Sequence, residues 1–166
     1  MNTYIFLYDE TSFFEVNLVA YFMKTAGNVY IVTEDKVDDV LTNEGIRIKA
    51  DMTLKQVDIN KLDVFVICGG NVENIRKMSN LYDFIQRCEG KIRGGICAGS
   101  EIVKNALSID CNTTTTQVID ESIVLSPGNE YVDFALEIGK AAKIYKDEAD
   151  YQETVEYFKH FRYSES

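Results

Sequence analysis

GGICAGS, residues 94–100, stands between an apolar run at 92–96 and a helical pattern at 98–107, so Cys97 falls at the junction of strand and helix. Gly95, Cys97 and Gly99 form a G-x-C-x-G pattern, the signature of a nucleophile elbow. A side chain at so tight a turn sits on strained backbone, and small neighbours are needed where strand and helix approach closely. The thiol is thereby pushed out above the strand ends. It also lies at a helix N-terminus, where the macrodipole and unpaired N–H groups favour an anion. Cys97 is accordingly expected to have a lowered pKa and to be partly thiolate near neutral pH. The competing reading is a buried cysteine used as a small apolar filler; glycines two residues away on both sides favour function.

Working outward, short apolar runs alternate with longer helical patterns, as parallel strands joined by crossover helices do. Residues 4–8 (YIFLY) read as a strand, 12–25 as a helix ended by Gly27, and 29–33 as a second strand. Residues 36–53 carry only a weak alternation through Ile46 and Ile48 and predict a small strand excursion. The run 62–67, apolar but for Asp63 and bounded by Gly69 and Gly70, predicts a central strand buried on both faces. One helix, or two split near Ser79 and Asn80, is expected over 71–88. A strand at 123–125, a helix at 129–145 and a final helix at 149–161 complete the pattern. The expectation is one α/β domain over 1–166, with its carboxyl-terminal helix at about 147–162.

Composition narrows the function classes. With 166 residues, 46% hydrophobic and 27% charged, the chain has the make-up of an ordinary globular domain. Its 17 basic and 27 acidic residues give a net charge of −10, which opposes binding to a polyphosphate backbone, so nucleic acid is not an expected partner. The start, MNTYIFLYDE, has no basic n-region and reads as a strand, not a signal peptide. No apolar stretch approaches the roughly 20 residues of a membrane helix. A cytoplasmic protein without membrane contact is expected. The four cysteines, Cys68, Cys88, Cys97 and Cys111, show no C-x-x-C pair and no histidine at metal-ligand spacing. Reduced thiols, no metal and no cofactor follow as expectations.

Glu15 is a second candidate. Phe22, seven residues on, lies within roughly 20° of it around the helix axis, and Leu18 and Val19 flank that direction, so Glu15 points inward. A buried carboxyl is disfavoured as the anion, its pKa rises, and it can carry a proton beside the sulfur of Cys97. The two groups would then share one charge. A glutamate serving the helix dipole is the equal alternative. Gly69 and Gly70 let backbone N–H groups approach a ligand, and with the Ala98 N–H they form a candidate oxyanion hole; a plain tight turn is the alternative. His160, the one histidine, falls in a stripe with Tyr151, Val155, Phe158 and Phe161 that looks like docking surface.

In this order YIFLY, FFEVNLVAYFMKTAG, LDVFVICGGN, GGICAGSEIVKNA and SPGNEYVDFALEIGKA resemble the DJ-one/PfpI superfamily, which includes a protein deglycase and the PfpI-type intracellular proteases. The resemblance covers nearly everything except the last twenty or so residues. It implies a flavodoxin-like three-layer sandwich with a mostly parallel sheet, usually a homodimer. It also implies a nucleophilic cysteine at Cys97, touched by a protonated glutamate at Glu15, with an oxyanion site on Gly70 and Ala98 supported by Gly69, Gly95 and Gly99. Implied activities are glyoxalase or deglycase action, peptidase or amidase action, chaperoning and oxidative-stress sensing. Ala98 after the cysteine matches the deglycase branch, so a protease is disfavoured. Many members place a histidine after the elbow helix, but the matching stretch is CNTTTTQV, where Thr115 or Thr116 stands. The residue ahead of the double glycine is Cys68, not proline.

Without that imidazole the thiol relies on its own ionisation and on Glu15 or water for proton transfer. The favoured reading is a cysteine-dependent hydrolase or lyase acting on small reactive carbonyls. A redox-responsive cysteine sensor and a non-catalytic dimeric interaction module are the alternatives.

Overall fold

Strand β6, Val64–Ile67, shows how the sequence builds the layers. All four residues are buried, and their side chains divide between two cores. Phe65 and Ile67 join Tyr4 and Phe6 on one face, while Val64 and Val66 join Ile5 and Leu7 on the other. A strand apolar at every position has to be covered on both sides. The computed structural model describes residues 1–163; the last three of the expected domain range, 164–166, lie outside the described residues.

The main sheet has seven strands in the order β5-β2-β1-β6-β7-β9-β8. These are β1 (Asn2–Phe6), β2 (Asn28–Thr33), β5 (Met52–Thr53), β6, β7 (Ile92–Ile96), β8 (Gln117–Ile119) and β9 (Ile123–Ser126). All pairs are parallel except β8 with β9. Helices α3 (Ser79–Arg87) and α4 (Ala98–Leu107) pack together on one face, and α1 (Phe14–Ala26) and α5 (Tyr131–Ala141) on the other. The result is the α/β three-layer arrangement that the alternating pattern predicts.

Several boundaries differ from the expectation. The first strand starts at Asn2 and ends at Phe6, because Asn2 to Phe6 pair in register with Asn28 to Val32. Residues 36–53 hold an antiparallel hairpin, β3 (Asp39–Leu41) with β4 (Arg47–Lys49), followed by β5 at the sheet edge. The 71–88 segment divides into α2 (Val72–Ile75) and α3. Strand β8 has no counterpart in the expectation, being three residues long and half-buried, with little apolar alternation. The helix expected at 129–145 is α5 and stops at Ala141, where Lys143 takes a positive φ of 55° and the chain turns back. The last helix, α6, spans Glu148–Phe158. Asp147 caps it by accepting from the Asp150 N–H at 3.0 Å. Its Phe158 ring meets Phe22 of α1 edge-on at 4.9 Å between centroids. Among the described residues no helix is long and apolar enough to cross a membrane.

Candidate active site at the carboxyl ends of the central strands

In register, Ile67 of β6 lies beside Gly95 of β7, and Ile96 beside Ser126 of β9. The segments that leave these three strands therefore meet at one edge of the sheet, where crevices form in open α/β folds. They carry Gly69 and Gly70, Cys97, and Pro127 with Gly128. Cys97 adopts φ 54° and ψ −119° between β7 and α4. Few non-glycine residues tolerate that conformation, and it is held here by the Cys97 N–H donating to the Ser126 carbonyl at 2.8 Å. The neighbours must be small. A Cβ at Gly95 would stand 2.7 Å from the Gly99 carbonyl carbon, and one at Gly99 would stand 2.8 Å from that of Ile67.

Glu15, in the first turn of α1, is 4% exposed. It arrives there because α1 packs its Val16, Val19, Phe22 and Met23 against the sheet, and because the entry to the helix is fastened to the end of β6. Ser12 donates its N–H to the Gly69 carbonyl at 2.9 Å, and the Thr11 hydroxyl donates to the same oxygen at 2.9 Å. The carboxyl and the cysteine share two glycine walls. A Cβ at Gly69 would strike Glu15 Oε2 and lie 2.6 Å from the Cys97 Cβ, while one at Gly128 would lie 2.5 Å from Glu15 Oε1 and 3.2 Å from the Cys97 Cβ. The inward reading of Glu15 is what the structure shows.

Burial pushes the Glu15 carboxyl up to about 7; the Cys97 thiol and the Gly69 N–H pull it down, and Glu44 adds a smaller upward push. Oε2 itself is buried without a hydrogen-bond partner, so neither of those two neighbours meets it in full hydrogen-bond geometry. The lowered thiol pKa expected for Cys97 is not found. Although the residue is exposed, burial of its sulfur among the surrounding walls raises the pKa, and the Glu15 charge raises it further. The N–H groups of Ala98 and Gly70 act the other way without cancelling these effects. The helix-terminus argument left out the burial of the sulfur, the larger cause, and the repulsion from Glu15 once that carboxyl ionises. Gly70 can present its N–H because it takes φ 139° and passes close to Thr11, 2.6 Å from the position its Cβ would occupy.

The other sequence candidates separate clearly. Thr116, not Thr115, turns into the structure. Its hydroxyl lies 2.8 Å from Ser126 Oγ and donates to Glu130 Oε2 at 2.8 Å, while the exposed Thr115 accepts at Oγ1 from Gln117. His160 follows α6, with its imidazole 4.0 Å from Glu156, and is not among the groups that act on the Cys97 thiol. Cys68 is fully buried, donates to the Ser12 carbonyl at 3.3 Å, and has its thiol pKa raised by burial. Sequence reasoning missed Gly128, Ser126 and Glu130, although the Pro-Gly step in SPGNEY is a turn signal directly after a strand. It also missed Tyr8, whose buried hydroxyl has no hydrogen-bond partner and whose pKa is raised by burial and by Cys68, Cys97 and Glu15. Among the described residues no group of three or more His, Cys, Asp or Glu is placed to hold a metal ion.

The sequence pattern of the DJ-1/PfpI family matches residues 1–148. Solved structures agree on the fold. A thiJ/pfpI family protein from Bacillus anthracis superimposes with a TM-score of 0.83 at 16% identity, covering 96% of this chain and 92% of its own. A DJ-1 superfamily protein from Agrobacterium tumefaciens gives 0.80 at 19% identity, covering 98% and 100%. Oxidized DJ-1 from Toxoplasma gondii gives 0.76 at 17% identity, covering 93% and 95%. No curated protein matches the sequence at a significant level. The chain belongs to the DJ-1/PfpI family.

Proposed function

We propose that the protein is a cysteine-dependent hydrolase or lyase of the glyoxalase or deglycase type, acting on small reactive carbonyls through Cys97 and Glu15. The observation that carries this reading is the placement of the Cys97 Cβ and the Glu15 carboxyl against the same two glycine walls, Gly69 and Gly128. A carboxyl poised at about 7 is matched to proton transfer at neutral pH. In the first step the ionised Glu15 takes the proton from the Cys97 thiol as the sulfur bonds to the carbonyl carbon. The C=O π electrons move onto oxygen, where the Gly70 and Ala98 N–H groups offer hydrogen bonds. Glu15 then returns the proton to that oxygen, giving a hemithioacetal with no net change in charge. Gly95 and Gly99 support the turn, and a homodimer belongs to the same proposal. Turnover of methylglyoxal, absent in Cys97→Ser and reduced in Glu15→Gln, tests it; wild-type turnover in Cys97→Ser would overturn it.

A second reading, a redox-responsive cysteine, draws support from the exposure of Cys97 and the unpartnered Glu15 Oε2. Two equivalents of peroxide would carry the sulfur through sulfenate to sulfinate, each releasing water, and a protonated Glu15 could donate to a sulfinate oxygen. A gain of two oxygens at Cys97 under mild peroxide, without turnover, would favour this reading. The relative from Toxoplasma gondii is described as oxidized.

A further inference from the structure

The segment that leaves β9 crosses the site as a strap. Its middle residue, Gly128, is pressed against Glu15 Oε1 at 2.5 Å and the Cys97 Cβ at 3.2 Å, as measured from an added Cβ. One end is fixed at Ser126, fully buried, whose carbonyl accepts from the Cys97 N–H at 2.8 Å and whose N–H donates to Ser100 Oγ at 3.0 Å. The other end is Glu130. Its Oε2 accepts both the Thr116 N–H at 2.7 Å and the Thr116 hydroxyl at 2.8 Å.

Proton counting gives this network a direction. Thr116 holds the Glu130 carboxyl below the usual carboxylate range, with Lys159, just past the end of α6, helping, so Glu130 is ionised and can only accept. The single hydroxyl proton of Thr116 is thereby committed to Glu130. Thr116 Oγ1 can then only accept from Ser126 Oγ, which lies 2.8 Å away and closer than that hydroxyl's other two acceptors, the Pro127 and Glu130 carbonyls at 3.1 and 3.4 Å. One carboxylate thus orders two hydroxyls in series, ending at the residue that anchors the Cys97 backbone.

We propose that Glu130 and Thr116 are positioning residues of the Cys97 site: they form a clasp that closes the 126–130 strap over the Cys97 and Glu15 side chains. This rests on the reading of Cys97 and Glu15 as the reacting pair. The clasp transfers no proton to the substrate; it keeps water away from Glu15.

Burial is the main cause of the raised Glu15 pKa, so opening the strap should let it fall. The groups facing Glu15 are the Cys97 thiol, the Gly69 N–H and Glu44, and those facing Cys97 are Glu15 and the N–H groups of Ala98 and Gly70, with the Tyr8 hydroxyl and Cys68 nearby. None of them belongs to the clasp.

The test is the pH profile of iodoacetamide alkylation at Cys97, resolved by peptide mass spectrometry, with Cys111 as internal reference. In Thr116→Val the inflection due to Glu15, near 7 in the wild type, should move down by about one pH unit. Thr116→Ser should restore the wild-type profile, and Glu130→Gln should shift it in the same direction by less. A folded Thr116→Val protein with an unmoved profile overturns the proposal. Should that variant not fold, an unmoved profile in Glu130→Gln does so. Carbonyl turnover is not part of the readout, so a shifted profile in a protein inert towards methylglyoxal would sink the enzyme reading and leave the clasp standing.

Discussion

Cys68 and Cys97 stand at the ends of adjacent parallel strands, β6 and β7, and burial raises the thiol pKa of both, with Glu15 adding to it. Their fates differ. Cys68 continues the strand, is sealed from solvent and spends its proton on the Ser12 carbonyl. Cys97 turns out of its strand at a positive φ, is exposed, and meets two N–H groups that no carbonyl has claimed from the sulfur. Proximity to a carboxyl therefore does not by itself open a thiol to solvent. What separates them is the backbone turn, which converts a core residue into one facing a crevice.

The comparison breaks first at reactivity. Under limiting peroxide or iodoacetamide, Cys97→Ser should lose all labelling at that site, while Cys68→Ala should leave Cys97 labelling at the wild-type level; intact-mass and peptide analysis read both. Loss of Cys97 labelling on removing Cys68 would mean the two thiols act as a unit.

Next in size are the walls. Gly128→Ala and Gly69→Ala push a methyl group into the Glu15 carboxyl, and displacement of a reacting group by about 1 Å can cost on the order of 100-fold in rate. Steady-state turnover should fall by that order in both variants. If turnover survives, the shared wall is packing alone.

A subtler test concerns the proton. The folded pKa of Glu15, about 7, lies above its ordinary value of 4.5, so the native state binds that proton more tightly than the unfolded chain. The resulting stabilisation is full below the ordinary carboxyl range and is lost as pH rises through about 7. Urea midpoints of the wild type should therefore fall over this interval, and Glu15→Gln should flatten that part of the curve. An unchanged slope in the variant would show that Glu15 titrates normally. The smallest effect is expected at Cys68 itself: Cys68→Ala removes a buried sulfur and its hydrogen bond, costing about 1–2 kcal/mol in chemical denaturation.

Much of this was legible in the sequence, for physical reasons. A short β-branched and aromatic run such as 64–67, closed by a glycine pair, favours a central strand, and a cysteine between two glycines at a strand-helix junction announces its own turn. Glu15 could be placed because helical periodicity fixes direction to within a few tens of degrees. The thiol pKa could not be read, because it depends on how burial and a through-space carboxylate compete with two N–H groups. Nor could Gly128 or Glu130: Gly128 matters through its contacts with the distant Glu15 and Cys97, and Glu130 through a residue 14 positions away. A two-residue β5 and a three-residue β8 carry too few side chains to show a period.

Helix α6 lies almost wholly beyond residue 148, where the family pattern stops. Its Phe158 grips Phe22 on the helix that bears Glu15, and the next residue, Lys159, pairs with Asp133 at 2.5 Å on the helix that begins just after the strap. The residues that the family pattern covers thus hold Cys97 and Glu15, while a helix past the end of that pattern cross-braces the two helices behind them. Substitutions along that brace offer evolution a way to retune the spacing of Cys97 and Glu15 without altering either residue.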